Sequence, residues 1–212
     1  MPAPELWLIA GPNGAGKTTS MASPIVRELT RNVRFLNADD RTLEKITRKG
    51  WSGFATVPSL RLKELFIAAA EEVFAELLDA IERGESVGAE TVLSTHKYRA
   101  AVERVHELEG TFKLLYVGLR DPAISQERVA RRVRQGGHDV PADRLPARWQ
   151  RSIENLGWYA RNAEQFFVFD NSDATRGIPP PLIAEGGTGE LRIYSPDAIP
   201  AITASLTAAF SS

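Results

Sequence analysis

Two hydrophobic periods alternate along the chain, one typical of buried strands and the other of amphipathic helices. Short apolar runs predict five strands, over residues 6–10, 33–37, 87–93, 114–119 and 166–169. Segments with helical spacing separate these runs. Strands that alternate with helices in this way are typical of an α/β domain built around a parallel sheet.

The helical segments carry apolar stripes that predict core-facing helices. One stripe ends before Gly84 and a shorter one before Gly110, and we expect each glycine to take the left-handed conformation that ends a helix. The first stripe comprises Leu62, Leu65, Phe66, Ala69, Val73, Leu77 and Ile81, and the second comprises Tyr98, Ala101, Val102, Val105 and Leu108.

The C-terminal part of the chain predicts a hairpin and a closing helix, over about residues 181–210. Two apolar runs flank the sequence Gly186-Gly187-Thr188-Gly189, which favours a tight turn. A helix that begins near Ser195-Pro196 is expected to bury Ile199, Ile202, Leu206 and Phe210. With 212 residues, the chain is expected to form a single domain over residues 1–212.

A glycine-rich loop follows the first predicted strand, where residues 11–19 read GPNGAGKTT. A strand, this spacing of glycines and a helix that starts with Lys-Thr are typical of P-loop nucleotide enzymes, in which backbone N–H groups cradle phosphate. Lys17 is expected to reach the β- and γ-phosphates of ATP, and Thr18 to ligate Mg²⁺. A chance glycine turn and an inactive relic of the fold are the alternatives. The predicted nucleotide-binding residues of the loop are Gly11, Pro12, Asn13, Gly14, Ala15, Gly16, Lys17, Thr18 and Thr19.

The composition of the chain indicates where the protein works but does not indicate which reaction it catalyses. The net charge is −1, with 43% hydrophobic and 25% charged residues, so there is no global attraction to nucleic acid or to a membrane surface. The absence of cysteine excludes disulfides and thiolate metal sites. No apolar stretch approaches the roughly 20 residues of a membrane span. We therefore expect a cytoplasmic protein with no membrane contact.

Polar residues follow several of the predicted strands, at the edge of a parallel sheet where ligands bind. Asp39 and Asp40 follow the second strand, and either carboxylate could accept the proton of an attacking hydroxyl, although a helix N-cap is the simpler alternative. Glu90 and Thr91 end the third strand as candidate substrate ligands. Glu90 could instead hold magnesium through water, or be a buried structural glutamate. Asn171 follows the fifth strand as a candidate contact for the nucleotide base, or part of a plain turn.

A basic segment after the fourth strand predicts an arginine-rich helical lid over about residues 128–150. Arg128 and Arg132 lie four residues apart on one helix face, where their guanidinium groups suit the charge of a transferring phosphoryl group. Gly136-Gly137 predicts a hinge for closure. Nucleic-acid binding is disfavoured because aromatic residues do not interleave with the arginines. The neighbouring His138 is expected to have a structural or hydrogen-bonding role in the lid.

Taken together and in order, these motifs resemble the zeta-toxin family of P-loop kinases, and most closely its short stand-alone bacterial branch. The resemblance spans about residues 5–195. It implies a three-layer P-loop sandwich with five parallel strands in the order 2-3-1-4-5. The motifs that carry it are the glycine loop, the strand ends at 36–40, 90–94 and 170–172, and the lid segments 128–133 and 136–141.

The resemblance also implies an activity and roles for individual residues. Members phosphorylate a hydroxyl of UDP-N-acetylglucosamine with ATP and Mg²⁺, and an antitoxin protein is a possible partner. By position, Asp39 matches the general base and Lys17 the phosphate lysine. Arg128 or Arg132 matches the first lid arginine, and Arg144 or Arg148 is the candidate for the second. Asp40, Glu90, Thr91, Arg144 and Arg148 are thus the candidate substrate-binding residues.

The acceptor is the least constrained part of this interpretation. Glu71, Glu72 and Glu76 precede the third strand, yet none matches the position of the family's substrate-binding glutamate. A kinase of another hydroxyl compound, such as a dinucleotide, a nucleoside or an antibiotic, is the main alternative. A nucleotide-dependent switch or a transport ATPase is the non-kinase alternative, although the chain contains neither Asn-Lys-x-Asp nor Leu-Ser-Gly-Gly-Gln.

Overall fold

A single mixed sheet organises the computed structural model, which describes residues 2–175 and 178–211. Within these residues the sheet has seven strands in the order β2-β3-β1-β4-β5-β6-β7. The first five strands in sequence are parallel to one another, in the predicted order 2-3-1-4-5. The strands are β1 (Glu5–Ala10), β2 (Arg34–Leu36), β3 (Ser86–Thr91), β4 (Thr111–Gly118), β5 (Gln165–Asp170), β6 (Leu182–Gly187) and β7 (Glu190–Ile193).

The predicted C-terminal hairpin forms but does not stand apart from the sheet. Its strand β6 pairs antiparallel with β5, and β7 pairs antiparallel with β6. Thr188 and Gly189 make the turn, both with positive φ (50° and 87°), as two-residue hairpin turns prefer. The sheet is therefore wider than the five parallel strands predicted from sequence, although the α/β class is confirmed.

Helices cover both faces of the sheet. The helices are α1 (Lys17–Met21), α2 (Pro24–Leu29), α3 (Ala38–Arg48), α4 (Ser59–Glu82), α5 (Arg99–Glu107), α6 (Pro122–Arg134), α7 (Leu145–Arg161) and α8 (Pro200–Phe210), with short 3-10 turns at Phe54–Thr56 and Ala142–Arg144. No helix within the described ranges is long and apolar enough to cross a membrane.

The core lies on both sides of the central strands. Alternation along β1 directs Leu6 and Leu8 to one face and Trp7 and Ile9 to the other, and none is more than 1% exposed. The first face packs against apolar residues of α4, α5, α7 and α8. The second packs against Val26 of α2 and the P-loop residue Ala15. Because both faces of the sheet are buried, β1 is held firmly and positions the P-loop that follows it.

The helix ends agree with the sequence at one glycine and differ at the other. Gly84 has φ of 71° just beyond α4, as predicted. After α5 the left-handed residue is Glu109, with φ of 54°, and not Gly110. Gly110 is required for another reason, because a Cβ there would lie 2.4 Å from the carbonyl oxygen of Pro4. The closing helix α8 begins at Pro200, later than the predicted Ser195.

Candidate active site

The glycine loop takes the conformation that its sequence predicts. Gly11, Gly14 and Gly16 all have positive φ, of 139°, 72° and 88°. A Cβ at Gly11 would lie 2.1 Å from the carbonyl oxygen of Val117 on β4, so no other residue fits there. Ala15 N donates to the carbonyl oxygen of Pro12 at 3.2 Å, which closes the loop. The result is a tight concave backbone at the start of α1, the shape that binds phosphate.

Lys17 lies at the centre of this loop and is nearly buried. Its side chain is 7% exposed, and its Nζ donates to the carbonyl oxygens of Gly11 (2.9 Å) and Pro12 (3.2 Å). Burial lowers the pKa of Lys17, while the negative charges of Glu90 and Asp39 oppose that shift. Acidic groups from two different strand ends therefore act on one ammonium group.

Glu90, at the end of β3, faces the loop rather than the core. Its Oε1 lies 3.8 Å from Nζ of Lys17, and its Oε2 accepts a hydrogen bond of 3.1 Å from Oγ1 of Thr18. A hydroxyl and a carboxylate at the mouth of a phosphate loop are hard oxygen donors of the kind that Mg²⁺ prefers. Thr18 and Glu90 are thus donors that fit Mg²⁺ and would hold it. Thr19, the next residue, is exposed on α1.

Asp39 and Asp40 lie in the first turn of α3, and neither is its N-cap. Asn37 is the cap, and its Oδ1 accepts a hydrogen bond of 2.8 Å from the backbone N–H of Asp39. Because Asn37 is the cap, neither carboxylate has the capping role that was the alternative. Both carboxylates are exposed. The negative charge of Asp39 acts to raise the pKa of Lys17, against the effect of burial.

The lid brings two of its arginines towards the same point. The positive charges of Arg132 on α6 and Arg148 on α7 both lower the pKa of Lys17, so both lie near its ammonium group. Arg148 also donates from one guanidinium nitrogen to Oδ1 of Asn13 in the glycine loop, at 3.4 Å. Burial, followed by the charges of Arg151 and Arg144, lowers the pKa of Arg148 itself.

Arg128 occupies a different part of the site. Its guanidinium donates to the carbonyl oxygen of Ser172 (2.9 Å) and, at 3.4 Å, to that of Gly14. Asn171, which follows β5, donates from Nδ2 to the carbonyl oxygen of Ala15 at 2.7 Å. Both side chains thus tie the segment after β5 to the glycine loop. Of the predicted lid arginines, Arg132 and Arg148 carry charges that act to lower the pKa of Lys17.

Two predicted substrate ligands have other surroundings. The hydroxyl oxygen of Thr91 accepts a hydrogen bond of 3.1 Å from the backbone N–H of Leu93. That bond supports Leu93 in a left-handed conformation with φ of 62°, unusual for a bulky residue. Arg144 is exposed on the 3-10 turn that precedes α7, where its charge acts on Arg148. Thr91 therefore has a backbone partner, and Arg144 lies at the outer edge of the lid.

Sequence reasoning missed a residue that holds the glycine loop in place. Ser125 of α6 is completely buried, and its Oγ donates to the carbonyl oxygen of Asn13 at 2.6 Å. The same helix approaches Gly14, where a Cβ would lie 3.1 Å from the Cβ of Arg128. Nothing in the local sequence distinguishes this serine from a surface residue, because its role depends on how α6 crosses the loop.

The family of the chain follows from a match to the family model for the zeta toxin, which covers residues 1–177. The chain belongs to the zeta toxin family. The P-loop described above lies within the matched residues. No curated protein matches its sequence closely enough to count as a relative.

Solved structures of similar fold share little sequence with the chain. The AvrRxo1-ORF1:-ORF2 complex with ATP has a TM-score of 0.67 at 15% identity, covering 95% of this chain and 64% of that one. The PezAT toxin-antitoxin system of Streptococcus pneumoniae has a TM-score of 0.55 at 14% identity, covering 95% and 78%. A putative kinase from Chloroflexus aurantiacus has a TM-score of 0.51 at 19% identity, covering 70% and 78%. The chain spans slightly less than two thirds of the AvrRxo1-ORF1 chain.

Proposed function

We propose that this zeta-family kinase transfers the γ-phosphoryl group of ATP to a hydroxyl of a nucleotide sugar such as UDP-N-acetylglucosamine. The observation that carries the proposal is the set of charged groups at the mouth of the glycine loop. Glu90 from the end of β3 lies 3.8 Å from Nζ of Lys17, and Arg148 of the lid donates to Asn13 of the loop. The charges of Asp39 and Arg132 also act on the Lys17 ammonium group. Phosphoryl transfer requires this combination of a phosphate cradle, a carboxylate and positive charge around the transferred group.

Each group has a defined task in this reaction. The glycine loop and Lys17 hold the phosphate chain of ATP, and Arg132 and Arg148 neutralise charge on the transferred phosphoryl group. Asp39 accepts the proton of the acceptor hydroxyl as its oxygen attacks the γ-phosphorus. The new bond joins the acceptor oxygen to phosphorus, and the bond to the bridging oxygen breaks, with ADP as the leaving group.

Thr18 and Glu90 are the residues that would hold Mg²⁺, Thr18 directly and Glu90 directly or through water. When bound, the ion supplies positive charge that stabilises the phosphate oxygens during transfer. The hydrogen bond of 3.1 Å between these two side chains already brings the hydroxyl and the carboxylate together.

Arg128 and Asn171 support a division of the site into a base side and a phosphate side. Their bonds join the segment that follows β5, at Asn171 and Ser172, to the carbonyl oxygens of Gly14 and Ala15 in the glycine loop. We infer that Arg128 positions the glycine loop and borders the nucleotide base, and that Arg132 and Arg148 carry the transition-state role. This assignment differs from the interpretation of the sequence, in which Arg128 was a catalytic candidate.

The wider biology of the protein belongs to the same proposal. The family and the similarity to the PezAT toxin-antitoxin system support an antitoxin protein as a possible partner. ATP as the phosphoryl donor and the absence of cysteine are consistent with a cytoplasmic enzyme. A kinase that acts on another hydroxyl compound stays the alternative.

A panel of acceptors tests the proposal directly. Purified protein with ATP and Mg²⁺ is incubated with UDP-N-acetylglucosamine, NAD, uridine, an aminoglycoside and shikimate, and products are identified by mass spectrometry. We expect UDP-N-acetylglucosamine to gain one phosphoryl group with the wild type, and no product with Lys17→Ala. Phosphorylation of a different member would overturn the nucleotide-sugar assignment, and phosphorylation of none would overturn the proposed function.

A further inference from the structure

Three partly buried rings form a cluster next to the carboxylate side of the site. Phe54, in the 3-10 turn before α4, stacks on Phe66 of α4 with ring centroids 5.7 Å apart and planes 5° from parallel. The ring of His138, in the lid, lies 4.0 Å from that of Phe66 and 5.6 Å from that of Phe54. We call Phe54, Phe66 and His138 the aromatic wall. It is formed by two parts of the chain that meet only when the lid rests on α4.

The wall is connected to the charged groups of the site through His138. A guanidinium nitrogen of Arg132 donates to the backbone carbonyl oxygen of His138 at 2.8 Å. The charges of Asp39 on α3, Asp139 in the lid and Arg148 on α7 also act on the His138 ring. The candidate base and two lid arginines are therefore neighbours of the wall.

His138 also carries an unused hydrogen-bonding atom. Its Nδ1 is buried and has no partner among the described residues. An unpaired buried polar nitrogen destabilises the folded protein, and a phenylalanine at this place would stack on Phe66 without that cost. Burial lowers the pKa of His138 and the charge of Arg132 adds to this effect, while Asp39 and Asp139 oppose it. A neutral imidazole with a free nitrogen is suited to a polar ligand.

The position of the wall decides which ligand it faces. In the proposed function the nucleotide base borders the segment after β5, where Arg128 bonds to Ser172. The wall is joined instead to Arg132, which bonds to the His138 backbone, and the charge of Asp39, the proposed base, acts on the His138 ring. Flat apolar rings beside one polar atom favour a ligand that itself carries a ring with polar substituents.

We propose that the aromatic wall is part of the acceptor pocket, that Phe54 and Phe66 stack against a ring of the acceptor, and that Nδ1 of His138 hydrogen-bonds to it. This inference rests on the proposed kinase function and identifies residues that determine acceptor specificity. Since His138 is contributed by the lid, the pocket is complete only when the lid is closed. Gly136, between α6 and His138, has φ of 84°, a conformation that favours glycine at a hinge.

His138→Phe tests the proposal because it preserves the stacking and removes only the nitrogens. We expect it to raise KM for the phosphorylated member of the acceptor panel by about tenfold or more, which corresponds to one lost hydrogen bond to a ligand. KM for ATP should change by less than about threefold. His138→Asn, which retains a polar group near the position of Nδ1, should recover part of the loss.

His106→Phe is the matched control, because His106 lies on α5 near Glu164, at the opposite end of the strands from the P-loop. A second readout is independent of turnover. The Cε1–H signal of His138 in an NMR spectrum should shift when the acceptor is added together with a non-hydrolysable ATP analogue, and the His106 signal should not.

The outcomes separate the two levels of the proposal. If His138→Phe leaves KM for the acceptor unchanged, or raises KM for ATP equally, the wall is structural and the inference is wrong while the kinase function stands. If the wild type phosphorylates no member of the panel, the proposed function and this inference fail together.

Discussion

Gly16 is the position at which the structure makes the sharpest quantitative prediction. It precedes α1 with φ of 88°, and a Cβ there would lie 2.5 Å from Nδ2 of Asn171. Asn171 uses the same nitrogen to donate to the carbonyl oxygen of Ala15. Gly16→Ala therefore combines a strained backbone with the displacement of a side chain that holds the glycine loop. Gly50, which follows α3, is a matched control because its φ is 83° and no described atom lies within 4 Å of its Cβ position.

Both substitutions place alanine in a left-handed backbone conformation, and only Gly16→Ala also displaces Asn171. The left-handed conformation costs about 1 kcal/mol or slightly more, and this cost applies to both Gly16→Ala and Gly50→Ala. Displacing Asn171 loses one hydrogen bond, which adds about 1 kcal/mol at Gly16 only. For a domain of this size, about 1 kcal/mol lowers Tm by about 2–4 °C. We expect a loss of about 2–4 °C for Gly50→Ala and about 4–8 °C for Gly16→Ala.

Thermal unfolding by circular dichroism measures both variants, with and without ATP. Added ATP should stabilise the wild type and Gly50→Ala alike, because a ligand that binds only the folded state raises its stability. Gly16→Ala should respond less, since its loop N–H groups are displaced. A Tm for Gly16→Ala equal to that for Gly50→Ala, with a full response to ATP, would refute the reasoning.

Three further predictions concern the neighbours of the site. Ser125→Ala should lower the free energy of unfolding by about 1–3 kcal/mol in urea titrations, because the carbonyl of Asn13 loses a buried donor; an unchanged midpoint would contradict this. Glu90→Gln removes a carboxylate next to Thr18 and Lys17, and it should lower kcat/KM for ATP more at limiting than at saturating Mg²⁺. Equal losses of kcat/KM at the two Mg²⁺ concentrations would exclude Glu90 from the metal site. The folded-state pKa of His138 lies below 6.5, so on acidification the unfolded chain binds a proton at this residue before the folded chain does. The free energy of unfolding should therefore fall as pH decreases below about 6.5. His138→Phe should lack this contribution.

The sequence predicted the parts of the fold that local patterns determine. The five parallel strands and their order follow from apolar runs and from the resemblance that the P-loop motif carries. The left-handed residue after α5 was assigned to Gly110 and is Glu109, because the close approach of Pro4, and not a positive φ, requires the glycine. Distant packing of this kind leaves no local signal.

The same limit applied to the site. Of the residues predicted at strand ends, Glu90 and Asn171 contact the P-loop, since parallel strands align their carboxyl ends. The roles of Arg128 and Arg132 could not be distinguished, because both lie on the same helix face in the sequence pattern. Only the crossing of α6 over the loop turns Arg128 to the carbonyl of Gly14 and leaves Arg132 beside Lys17. The aromatic wall depends on lid placement in the same way.

The most direct test of the account compares Asp39→Asn with Asp40→Asn in single-turnover phosphoryl transfer at saturating ATP. Both residues lie exposed in the first turn of α3, so the two variants differ little in their effect on the fold. We predict that Asp39→Asn lowers the rate by about 100-fold or more, as loss of a general base does, while the Kd for ATP changes by less than about threefold. Asp40→Asn should retain most of the activity. A wild-type rate for Asp39→Asn would contradict the central claim that this carboxylate activates the acceptor hydroxyl.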